Sequence, residues 1–154
     1  MRITVVCVGR LKERYWQDAA AEYLKRLKPY ARVEIVEVPD QDVTADEPRA
    51  LAAEAVTIAR VLPEGAPVVT LDIGGKARSS EQLAEWIEQM GTSGKSHIAF
   101  VIGGAAGLHA DVRERADECI SLGPMTLPHQ LARVVLLEQL YRAFRIIRGE
   151  PYHR

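Results

Sequence analysis

Short runs rich in β-branched residues alternate with stretches of helical periodicity along the whole sequence, and this alternation limits the possible folds most severely. Arg2 to Val8 (RITVVCV) reads as a strand, and a helical pattern from about Lys12 to Lys28 follows it until Pro29 stops it. Arg32 to Val38 (RVEIVEV) alternates apolar and charged residues at period two. Pro48 then opens a pattern with Leu51, Ala55, Ile58 and Leu62 at helical spacing. Pro67 to Ile73 (PVVTLDI) is a third strand, Gly74-Gly75 reads as a turn, and Ser79 to Met90 predicts a helix opened by a Ser79/Gln82 capping box. His97 to Ile102 (HIAFVI) is a fourth strand. After it come the glycine loop GGAAGL, a short helix over Ala110 to Ala116, and a brief fifth strand near Cys119 to Leu122. The order predicts an α/β fold with a mostly parallel sheet covered by helices on both faces. No internal repeat, linker or low-complexity tract interrupts it, so residues 1–154 read as one domain.

The C-terminal segment adds a second constraint. Between Pro128, suited to a first helical turn, and Gly149, suited to a helix end, lie Leu131, Val134, Val135, Leu136, Leu137, Leu140, Phe144, Ile146 and Ile147. Their helical angles span much more than one stripe, and one sheet face covers only one. The simplest second cover is the same helix of another copy, giving a twofold homodimer. A central core helix of a monomer is the alternative, which regularly spaced arginines fit badly.

Net charge is −1, which argues against coating nucleic acid by bulk electrostatics. The distribution is nevertheless uneven. Glu34, Glu37, Asp40, Asp42, Asp46 and Glu47 cluster early, whereas after Met125 the chain carries Arg133, Arg142, Arg145, Arg148 and Arg154 against Glu138 and Glu150. An all-arginine set suits phosphate and base stacking, and a solvated helix face is the plainer reading. Cys7 and Cys119 read as free thiols in a reducing compartment. His97, His109, His129 and His153 are scattered without ligand spacing, so no metal site is expected. GxSxG and GxxxxGK[ST] do not occur. The first apolar run is short for a signal peptide, and no run of about 18 apolar residues exists for a membrane span; a cytoplasmic protein is expected.

Several longer motifs carry a resemblance. VTLDIGGK at Val69 to Lys76, FVIGGAAGL at Phe100 to Leu108, and SLGPMTLPHQLARVVLLEQLYRAFRIIRGEPYHR at Ser121 to Arg154 closely resemble the bacterial RlmH family, small SPOUT-class methyltransferases. VGRLKERYW at Val8 to Trp16 and EYLKRL at Glu22 to Leu27 extend the likeness over the whole chain.

The resemblance implies that the C-terminal segment threads a trefoil knot and that the knot loops hold S-adenosylmethionine. It places the methyl donor against Leu71, Gly103, Leu122, Gly123, Pro124, Met125, Thr126 and Leu127. Gly103 would let main chain approach the ligand, and Pro124 would remove one N–H donor. The implied reaction methylates N3 of a pseudouridine in 23S rRNA, presented by the large subunit or the whole ribosome. For that reaction His153 would take or relay the imide proton, Arg154 and Arg142 would anchor phosphate or stabilise negative charge, and Tyr152 would stack on a base. His129, beside Thr126, is an alternative to His153. The tail would serve an active site, in its own copy or across a homodimer. A non-catalytic ribosome-binding or nucleotide-sensing homodimeric module stays open as a reading from a different class.

Overall fold

A computed structural model describes residues 1–152; His153 and Arg154, expected at the target nucleotide, lie outside the described residues. The elements are β1 (Arg2–Val8), α1 (Arg14–Leu27), β2 (Arg32–Val38), α2 (Glu47–Val61) and β3 (Val68–Ala77), followed by α3 (Ser80–Thr92), β4 (His97–Ile102), α4 (Ala110–Arg115), β5 (Glu118–Ser121) and α5 (His129–Ile147). All the strand pairings are parallel, in the order β2-β1-β4-β3-β5.

Strand side chains point alternately to opposite faces, and β1 shows both faces buried. Ile3, Val5 and Cys7 pack with Leu27 of α1, Ile87 of α3 and Leu137 of α5. Val6 and Val8 pack instead with Ile58 of α2 and Val112 of α4. The sheet is therefore covered on both faces, as the alternation predicts. Local chemistry fixes the helix starts. Asp46 accepts the Arg49 N–H at 3.1 Å ahead of α2. At α3 the capping box forms, with Gln82 N–H donating to Ser79 Oγ (3.1 Å) and Ser79 N–H to Gln82 Oε1 (2.8 Å).

Two readings change. Gly74-Gly75 does not end β3, which runs on to Ala77 with a register break: both Leu71 and Lys76 pair with Ile120. Residues 72–75 bulge outward, and Gly75 then presses on β5 so closely that a Cβ there would lie 2.7 Å from the Ile120 carbonyl carbon. A glycine pair that reads as a turn is here a bulge with close backbone approach. The second change concerns the cover of α5. It packs between α1 and α3 over the sheet, burying Leu136, Leu137, Leu140, Ala143 and Phe144. Neighbouring helices of the same chain thus supply flanks that the sequence argument assigned wholly to another copy. Leu131, Val134, Val135, Ile146 and Ile147 keep partial exposure.

Candidate active site

Parallel sheets place ligand sites at the carboxyl ends of their strands, because connecting loops and helix starts converge there. At that edge lies a cavity of about 640 Å³, a volume that suits a small organic ligand. One wall is the end of β3 with its bulge, Leu71, Asp72 and Ile73. A second is the Gly103–Gly107 loop after β4, and the third is the β5–α5 loop with Pro128, His129 and Ala132. The cavity unites Leu71, Gly103, Leu122, Gly123, Met125, Thr126 and Leu127 from the expected donor set; Pro124 does not line it.

The glycine loop folds on itself. Gly107 N–H donates to Gly104 O at 3.1 Å, and Gly107 adopts φ +80°. A Cβ at Gly103 would stand 2.5 Å from Gly107 O, so the position is glycine because its own loop closes against it. The close approach at Gly103 is thus made within its own loop, on the cavity wall. In the β5–α5 loop, Ser121 Oγ accepts the Gly123 N–H at 3.1 Å, and Gly123 has φ +123°.

Charge within the cavity is paired. Arg113 Nη1 meets Asp72 Oδ2 at 3.2 Å, and Asp72 Oδ1 accepts the Gly74 N–H at 2.9 Å. His129, in the first turn of α5, is held below the usual histidine range, first by burial and then by the Arg133 cation; Asp40 and Glu13 oppose that shift. Arg133 is only 3% exposed, and its guanidinium reaches Glu37 (2.8 Å) and Gly9 O (3.0 Å) while Nε lacks a partner. Sequence reading counted Arg133 among the surface cations. Its available signal was spacing: it falls one turn from Leu136 and Leu137, on the buried stripe. Asp72 lies in the VTLDIGGK motif, but nothing in the sequence marked its pairing with Arg113, which the bulge of β3 allows.

Arg142 and Tyr152 stand elsewhere. Tyr152 O–H donates to Glu138 Oε1 at 3.1 Å, and its ring lies 4.7 Å from the Arg142 guanidinium carbon. Arg142 Nε also donates to Glu138, at 3.0 Å. Burial, then the Glu138 carboxylate, push the Tyr152 phenol up to about 12. Arg142 is three to four turns along α5 from His129, roughly 20 Å at 1.5 Å per residue. Within one chain this cluster and the cavity are separate. Among the described residues, no group of three or more His, Cys, Asp or Glu could hold a metal ion, and no helix is long and apolar enough to cross a membrane.

Solved structures share this fold. They include a probable methyltransferase from Bordetella pertussis Tohama I (TM-score 0.63, 17% identity, 93% of this chain and 96% of that one). TrmJ from Z. mobilis ZM4 is another (TM-score 0.57, 16% identity, 100% and 73%). The fold alone is thus shared with these two proteins, the first of them called a probable methyltransferase. Residues 1–153 match the family model for predicted SPOUT methyltransferases, and the chain belongs to that family. Among its relatives is "Ribosomal RNA large subunit methyltransferase H" of Listeria welshimeri serovar 6b, 50% identical with both chains covered completely. The protein of that name from Bacillus cytotoxicus is 49% identical, again over 100% of each chain.

Proposed function

We propose that this chain is a methyltransferase that moves a methyl group from S-adenosylmethionine to N3 of a pseudouridine in 23S rRNA, on the large subunit or the assembled ribosome. The observation that carries this reading is the cavity at the carboxyl ends of β3, β4 and β5, whose walls come from the very segments that resemble the RlmH motifs. Leu71, Leu122, Met125 and Leu127 supply apolar surface for adenine and ribose. Gly103, Gly123 and Thr126 supply main-chain polar groups, and Pro124 shapes the loop from outside the wall. The trefoil knot belongs to the proposal: the β5–α5 segment and the glycine loop would cross where they share this cavity.

A sulfonium methyl is already electrophilic, so the protein's task is alignment and removal of the N3 proton. Arg142, Tyr152, His153 and Arg154 are assigned to the target RNA. Because Arg142 and the cavity are far apart in one chain, the tail of one copy would serve the cavity of the other, in a cytoplasmic homodimer. Incubating the protein with ribosomes lacking the modification and a methyl-labelled donor tests the whole reading. Label recovered as N3-methylpseudouridine in 23S rRNA is expected. Ribosome binding without label would turn the reading to a non-catalytic module.

A further inference from the structure

Three imidazoles fall within residues 1–152, and two of them are committed away from the cavity. His97 meets the Thr4 hydroxyl at 2.8 Å at the opposite edge of the sheet. His109 Nδ1 accepts the Asp111 N–H at 3.0 Å and caps α4. His129 lines the cavity, and its ring makes no hydrogen bond among the described residues. The remaining ionisable side chains of the wall, Asp72 and Arg113, are bonded to each other.

Packing holds His129 in place. Its Nε2 lies 3.6 Å from where a Cβ of Gly9 would be, so the missing side chain leaves room for the ring. Arg133, one turn further on the same helix face, bonds the Gly9 carbonyl and Glu37 and so fixes the β1–α1 turn against the start of α5.

We propose that His129 receives the proton of the acceptor nitrogen during methyl transfer and that Arg133 positions it, an assignment that rests on the methyltransferase reading above. The N3–H bond breaks and its proton passes to the unprotonated imidazole nitrogen. The pair left on N3 forms the bond to the methyl carbon, and the carbon–sulfur bond breaks with its pair retained by sulfur, giving a neutral thioether. The imidazolium then releases its proton to water. The groups facing the ring are Arg133 on α5, Asp40 after β2 and Glu13 before α1, with the Asp72–Arg113 pair on the same cavity wall. Burial and Arg133 outweigh the two carboxylates, so the ring is neutral and ready to accept a proton near pH 7.

The test is single-turnover methylation of unmodified ribosomes between pH 5 and pH 9 at saturating donor, with S-adenosylhomocysteine affinity measured by calorimetry for each variant. His129→Gln and His129→Ala should bind that product within a few-fold of wild type. Both should lose roughly 10²- to 10⁴-fold in rate together with the acid limb of the pH profile, and added imidazole should partly restore His129→Ala. Arg133→Gln, which keeps donor groups and drops the charge, should move the acid limb to higher pH; a slower rate with an unmoved midpoint overturns the positioning role. A His129→Gln rate within threefold of wild type overturns the catalytic role. So does an acid limb kept by both His129 variants and lost by His153→Ala. Failure of the wild-type protein to transfer methyl would instead overturn the methyltransferase reading itself.

Discussion

Arg133 is a cation inside the apolar stripe of α5, and three segments meet at its guanidinium: the β1–α1 turn through Gly9, β2 through Glu37, and α5 itself. Removing it leaves a carboxylate and a carbonyl without their donor. Arg133→Met should therefore cost about 3 kcal/mol, the low end for breaking a buried pair because Glu37 keeps some solvent contact. Arg133→Lys should recover only part of this loss, since a point charge cannot bridge both partners as a planar fork does. Urea titrations of the three proteins measure both effects. The histidines set an acid limit on stability. His97 and His129 are both held below the ordinary value, with burial the largest cause, so the folded chain prefers them neutral. Between their folded values and about 6.5 the unfolded chain binds more protons, and stability rises with pH there. The contribution is complete above about pH 6.5 and is lost as pH falls through the folded values. The melting temperature should drop from pH 7 to pH 5, and replacing both rings with glutamine should flatten that drop.

Elements with strong periodicity were legible in the sequence: RVEIVEV as a strand, the Ser79/Gln82 start of α3, and the sheet class that the alternation requires. The glycine positions were legible as special but not as to cause. Gly74-Gly75 carries the composition of a turn, and only the pairing of β3 with β5 shows that it bulges without ending the strand. Gly103 likewise signals close approach, yet the approaching atom is Gly107 O, four residues along, which no pattern reveals. The candidate site was readable as loops through its long motifs. The Asp72–Arg113 pair depends on tertiary placement and carried no local signal, whereas the burial of Arg133 was marked only by its spacing from Leu136 and Leu137. An element-scale prediction follows from the glycine loop. Gly103→Ala forces the Gly107 carbonyl away from a Cβ 2.5 Å distant, and both neighbours are backbone, so the loop must reshape. Thermal shift by S-adenosylhomocysteine should be largely abolished, while far-ultraviolet circular dichroism stays that of the wild type.

For the molecule as a whole, exposed apolar surface lies on the cavity wall, where Met125 is 81% exposed and Ile73 58%. Leu131, Val134 and Val135 on α5, the helix whose first turn lines the same cavity, are partly exposed. Such a patch next to a ligand site fits coverage by a second copy. Light scattering should give a mass of about twice 17.1 kDa at micromolar concentration. Met125→Glu with Val134→Glu should shift it to the single-chain mass, and an unchanged mass would place the contact elsewhere. The position of α5 between α1 and α3 also orders events during biosynthesis. Translation delivers α1 and α3 long before the helix that separates them, so their facing apolar sides and the sheet beneath stay wet until α5 emerges. Tyr30 reaches Glu150 across 120 residues at 2.7 Å, a contact unavailable to a partly made chain. Nascent chains halted before α5 should consequently be cut readily by protease and held by chaperones, and protection should arrive in one late step.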